Sequence, residues 1–99
     1  MPAYIVVDIE ITDPDTYTQY VQQVQPSLDA YGGRFVVRGG QAETLEGEWS
    51  PKRVVIAQFD SVEKARAWWG SEIYAGPKKL RQSAARTKMI LVEGVAAAV

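Results

Sequence analysis

The chain contains no cysteine and no histidine. Without cysteine there is no disulfide and no thiolate chemistry, and a cytoplasmic location fits. Without histidine, the commonest general base and the commonest metal ligand are both missing. A Ser-His-Asp triad, a histidine-ligated zinc and a histidine-ligated haem are excluded within this chain. No metal site and no bound cofactor are expected. Neither sign of charge prevails: 11 bases stand against 12 acids, a net of −1. No global field therefore recruits nucleic acid or an anionic membrane. The start, Met1-Pro2-Ala3-Tyr4, lacks a basic region and a long apolar run. No signal peptide and no membrane span are expected. Gly32-Gly33 and Gly39-Gly40 lack the spacing and the Lys-Ser/Thr ending of a phosphate-cradling loop.

What is present is an ordinary globular composition. The 99 residues are 46% hydrophobic and 23% charged, which suits one domain over residues 1–99. Charge is unevenly spread along the chain. Residues 1–51 hold eight acids against Arg34 and Arg38, a net of −6. Residues 52–99 hold nine bases against four acids, a net of +5. Either the two halves complement each other in space, or Lys78, Lys79, Arg81, Arg86 and Lys88 form an anion site.

Periodicity supplies the elements. Residues 3–11 alternate as a strand, with Ile5, Val7, Ile9 and Ile11 on one face and Tyr4, Val6, Asp8 and Glu10 on the other. Asp13 caps a helix, Pro14 suits its first position and Asp15 suits its positive end. Tyr17, Tyr20, Val21, Val24, Leu28 and Tyr31 form its apolar stripe. Pro26 predicts a kink or break, and Gly32-Gly33, with positive φ, end the helix. Residues 34–37 begin a second strand. Gly39-Gly40 predict a bulge or bend, after which pairing resumes through Glu46. Residues 53–59 are a third strand. Ser61 caps a second helix carrying Val62, Ala65 and Trp69, broken at Gly70-Ser71. Ser71 starts a shorter helical piece limited by Pro77. Residues 88–93 form the last strand, and residues 96–99 a loose end.

The order β-α-β-β-α-β predicts an α+β, ferredoxin-like fold. Its four-stranded antiparallel sheet has order 4-1-3-2, with the helices on one face. The other face would carry Tyr4, Val6, Val54, Ile56 and residues of the last strand. Leaving such side chains in water costs about 1.5–3 kcal/mol each relative to burial. A patch of this size marks an interface or a ligand site. The simplest cover is a second copy, through a two-fold axis.

A set of short motifs carries a family resemblance. It comprises Asp13-Pro14, residues 31–35 (Tyr-Gly-Gly-Arg-Phe), Arg38-Gly39-Gly40, residues 45–49 (Leu-Glu-Gly-Glu-Trp), Ser71 with Tyr74, Leu80-Arg81, and Val92-Glu93-Gly94. In order and spacing this set resembles the uncharacterised bacterial family called domain of unknown function 1330, of the dimeric α/β-barrel superfamily. The match spans about residues 3–95. One departure is local, since Ile73 stands between Glu72 and Tyr74, which the family usually places together. The resemblance implies a homodimer of ferredoxin-like subunits whose sheets face each other as a barrel. It implies no agreed activity, although the superfamily includes cofactor-free monooxygenases and isomerases.

Candidate chemistry rests on few residues. Asp8 and Glu10 lie on one strand face about 6–7 Å apart. Burial in a barrel would raise one carboxyl and make it a base, whereas solvation or pairing would not. Arg38, beside Gly39-Gly40, suits bidentate binding of a carboxylate or enolate, or a salt bridge to Glu46 or Glu48. Glu48 is a further proton-handling candidate. Tyr74 and Arg81 flank a cleft between the second helix and the sheet, or tie the helix down. Trp68 and Trp69 are about 100° apart on the helix. Trp69 shares the apolar stripe, which leaves Trp68 to wall a pocket or a subunit contact. The ligand candidates are thus Asp8, Arg38, Glu48, Trp68, Tyr74 and Arg81. The dimer candidates are Tyr4, Val6, Trp49, Val54 and Ile56. Two functions stay open: a cofactor-free enzyme acting on a small apolar or aromatic molecule, and a non-catalytic homodimer that binds one.

Overall fold

In the computed structural model, which describes residues 1–96, strict apolar alternation builds the central strand β1, Ala3–Ile11. Ala3, Ile5, Val7 and Ile9 are buried, while Ile11 at the end of the row is exposed. Helix α1, Pro14–Ala30, follows with Pro14 in its first turn. The Asp13 carboxylate accepts from the Thr16 N–H at 3.2 Å and the Thr16 hydroxyl at 2.7 Å, which satisfies an otherwise orphaned donor. Pro26 neither breaks nor ends the helix. Gln22 and Pro26 both lie on the exposed side, so the carbonyl released by the proline ring stays open to water.

Of the two glycines after α1, Gly32 takes the positive φ, 70°. Gly33 is required for space. A β-carbon there would stand 2.6 Å from the Phe59 ring and 3.0 Å from Leu28 Cδ2. Strand β2, Arg34–Arg38, pairs antiparallel with β3, Val54–Phe59. The irregularity predicted at Gly39-Gly40 falls earlier, as a register shift between Phe35 and Val37. Pairing does not resume toward Glu46, and residues 39–53 form a long connection.

Ser61 accepts from the Lys64 N–H at 3.1 Å and starts α2, Val62–Trp69. Ser71 caps α3, Glu72–Ala84, which at 13 residues is the longer of the two, with Pro77 inside it. Ile73, whose carbonyl that ring would displace, is exposed, so the helix continues. Strand β4, Ala85–Glu93, begins three residues earlier than expected because Ile11 pairs with Ala85. Of the loose end expected at residues 96–99, residues 97–99 lie outside the described part.

The sheet order is β2-β3-β1-β4, which is 4-1-3-2 in reverse, and every neighbouring pair is antiparallel. Among the described residues, three helices cover one face. The molecule is only 17 Å along its shortest axis, room for one helix layer on one sheet. On the uncovered face Tyr4, Val6, Val54 and Ile56 are half-buried, and Ile90 and Val92 are 59% and 41% exposed. No helix is long and apolar enough to cross a membrane among the described residues. Among the described residues, one exposed ion pair joins the two charged halves, Glu10–Arg86 at 4.0 Å. Lys78, Lys79, Arg81, Arg86 and Lys88 do not form one anion site. Arg81 is buried in the core, whereas Lys78 lies over the Trp69 ring at 3.8 Å.

Replacing Gly33 by alanine should destabilise the fold by about 1–3 kcal/mol through overpacking against Phe59. Denaturant unfolding should report this as a lower midpoint with an unchanged slope.

Candidate functional site

A cavity lies between α1 and the inner face of the sheet, closed by side chains of α2 and α3. Its walls are apolar (Ile5, Val7, Val24 and Met89 among them), with the rings of Tyr17, Tyr20 and Trp68. Its volume is about 30 Å³, enough for one or two water-sized groups. A ring-sized ligand requires the rim to open. Three arginines are among its lining residues: Arg81, which is buried, Arg53, which is half-buried, and Arg38, which is exposed at the rim. No carboxylate is among its lining residues.

Arg81 is brought in by α3. It is 3% exposed, yet its hydrogen bonds go to hydroxyls: Nε donates to Tyr74 at 3.2 Å and Nη1 to Thr87 at 2.7 Å. Tyr74 is fully buried, and its hydroxyl also meets that of Tyr20 at 3.3 Å. Burial, then the neighbouring Tyr74, push the Tyr20 hydroxyl well above the ordinary phenol range. It therefore stays protonated and serves as a hydrogen-bonding group, not a base. The Tyr74 ring stacks on Trp68, with centroids 4.0 Å apart.

The two tryptophans exchange their expected roles. Trp68 is 3% exposed and donates from Nε1 to Ser27 Oγ at 3.0 Å. Trp69 is 45% exposed. Counting from Ala65, steps of three and four residues fall on either side of one helix stripe. Partners on other elements, Ser27 and Tyr74, select the three-residue step. Trp68 still walls the cavity, as a packed side chain and not a free one.

Arg38 reaches the cavity through the irregularity in β2. Regular alternation would put Phe35 and Val37 on one face. The shift makes Val37 pair with Ile56 and Arg38 with Val55, so Phe35 and Arg38 share the inner face. The Arg38 guanidinium lies 4.7 Å from the Phe35 ring centroid and does not pair with Glu46 or Glu48.

Tyr74 does not line the cavity but supports Arg81 and Tyr20, which do, and the remaining candidates do not join this site. Asp8 is on the opposite sheet face, where it accepts from Trp49 Nε1 at 3.2 Å and from the Lys52 N–H at 3.0 Å. The Trp49 hydrogen bond, aided by backbone donors, holds its carboxyl below the usual range, so the raised carboxyl considered for a base is not found. Glu48 is exposed and lines neither the cavity nor the groove beside Trp49. That groove is larger, about 350 Å³, but it lies on the uncovered sheet face, where Asp8 is held by Trp49 and the Lys52 N–H, Glu10 stands 4.0 Å from Arg86, and Lys52 and Lys88 complete the charged walls. We therefore take the smaller inner cavity as the candidate site. Trp49 itself is 60% exposed. Among the described residues, no three acidic side chains cluster to hold a metal.

Sequence reasoning missed Arg53, Tyr17 and Tyr20 as lining residues, and Ser27 as the partner that fixes Trp68. The parity of the third strand, which aligns Arg53 with Val55, was the available signal for Arg53.

The sequence model of the family described as Domain of unknown function (DUF1330) matches residues 2–95. The chain belongs to this family. No functionally curated protein matches it in sequence. Among solved structures, a protein of unknown function from Rhodopseudomonas palustris is similar at 19% identity, with a TM-score of 0.78. The match covers 96% of this chain and 83% of that one. SnoaB, a cofactor-independent oxygenase from Streptomyces nogalater, is similar at 9% identity with a TM-score of 0.62, covering 98% of this chain and 96% of that one. At these identities the likeness is one of fold.

Replacing Tyr74 by phenylalanine strands Arg81 Nε and the Tyr20 hydroxyl. It should cost about 1–3 kcal/mol in denaturant unfolding. For Asp8, a lowered folded-state pKa means that its stabilising contact is complete above about pH 4. The contact is lost as pH falls through the lowered value. Tryptophan emission should therefore change reversibly in that acid window, and the Asp8→Asn variant should lack the transition.

Proposed function

We propose that this chain is a small-molecule-binding homodimer of the α/β-barrel kind, working as one domain in the cytoplasm. The ligand site is the cavity between α1 and the inner sheet face. The observation that carries this reading is the composition of the cavity. It combines apolar and aromatic walls with a few convergent polar groups, the usual make-up of a ligand site. None of its lining residues is a carboxylate, histidine or cysteine suited to act as a base. Binding is thus better supported than proton abstraction by a protein carboxylate.

A second reading is a cofactor-free enzyme acting on the same ligand. The shared fold with SnoaB and the Arg81–Tyr74–Tyr20 hydroxyl chain favour it. Arginine and tyrosine donors can stabilise an oxyanion that forms on a bound substrate. Native mass spectrometry of the protein as isolated tests the common core of both readings. A retained small molecule supports the site, and oxygen uptake on adding that molecule separates enzyme from binder.

The dimer reading rests on the uncovered sheet face. Tyr4, Val6, Val54 and Ile56 form an apolar band there, with Ile90 and Val92 beside it and Trp49 at its margin. A facing sheet would remove this band from water. Light scattering at micromolar concentration should give twice the chain mass of 11.0 kDa. Ile56→Glu should shift the species to monomer, and a wild-type monomer would sink the facing-sheet arrangement.

A further inference from the structure

We propose that the inner cavity selects an amphipathic anion: an apolar body against α1 and the sheet, with an anionic oxygen met by Arg38, Arg53 and Arg81. This rests on the cavity being the ligand site, and it adds the chemical class of the ligand.

Three arginines on one small cavity form an uncompensated positive site. The ion pairs among the described residues are Lys64–Asp60 and Arg86–Glu10, so none of the three has a carboxylate within 4.0 Å. Buried charge is normally paired. Arg81 is buried with hydroxyl partners only, and its Nη2 makes no hydrogen bond among the described residues. Arg53 Nε is buried with no hydrogen-bond partner at all among them. An anion in the cavity would give Arg53 Nε the acceptor it lacks, with Arg81 lining the same cavity. Charge-assisted hydrogen bonds to guanidinium are about twice as strong as neutral ones.

The backbone is built to hold these groups. The β2 irregularity turns Arg38 inward. Gly39, at φ 74°, forms a seat for Arg53, because a β-carbon there would overlap the Arg53 guanidinium. A side chain there would push the guanidinium aside and would strain the backbone at its positive φ. Gly39 N–H bonds to the Val54 carbonyl at 2.8 Å, fixing that seat to the strand that carries the arginine. Arg81 and Arg53 are thus held by their surroundings, while Arg38 stays exposed at the rim with its guanidinium over the Phe35 ring. The cavity volume of about 30 Å³ suits the anionic head, while the apolar body requires the rim to open.

Matched acids and amides test the inference: butyrate against butyramide and benzoate against benzamide, at equal ionic strength. Each pair is nearly isosteric and differs in charge. Thermal unfolding and tryptophan emission should show each acid binding at least about tenfold more tightly than its amide. Arg53→Met should remove most of that preference while leaving amide binding in place. Arg34→Met, on the opposite sheet face, should preserve it. Arg81→Met should act like Arg53→Met where it folds, and the Arg53 variant carries the test where it does not. Equal binding of acid and amide would overturn the anion inference and leave the binding site standing. So would an acid preference unchanged in Arg53→Met. Binding of neither member of both pairs would overturn the site and the inference together.

Discussion

The hydroxyl of Tyr74 is the point on which the helical layer depends. It is fully buried, and it meets Tyr20 from α1 and Arg81 from its own helix. Arg81 in turn reaches Thr87 on β4, and the Tyr74 ring stacks under Trp68 of α2. One side chain thus links all three helices and, through Arg81, the edge strand. A buried hydroxyl without partners is costly, so these groups fix one another's positions. The same arrangement holds a guanidinium at the floor of the cavity. Structural need and the candidate chemistry share atoms here.

A second constraint is parity in the sheet. One extra residue in β2 reverses which side chains face inward after Phe35. Without it Arg38 would face the open side of the sheet. With it Arg38 joins Arg53, whose guanidinium rests on the bare backbone of Gly39. The Arg38-Gly39-Gly40 segment is therefore a device for aiming two arginines. The glycine does so by leaving space as much as by turning the chain.

The two sheet faces divide the labour. The uncovered face carries Asp8 and Glu10 opposite Lys88 and Arg86, and Asp8 ties the 39–53 connection down through Trp49 and Lys52. The inner cavity receives arginines and tyrosines. The cavity lining thus holds three arginines and no carboxylate although the chain as a whole is nearly neutral.

The sequence by itself determined the element order, the sheet order, the inward row of β1 and the caps at Asp13, Ser61 and Ser71. These follow from local rules: alternation of two, the helical stripe, and short polar side chains at helix starts. The family too was legible, because its motifs are contiguous. Only the tertiary structure decided which tryptophan is buried, since Ser27 and Tyr74 select Trp68 from elsewhere in the chain. It also decided that α1 passes through Pro26, because that depends on which side of the helix is wet. Above all it decided the candidate site. Tyr20, Tyr74, Arg81 and Arg53 come from separate elements, and nothing local to any of them signals that they converge. Convergence is a property of how helices pack on a sheet, and no single stretch of sequence contains it.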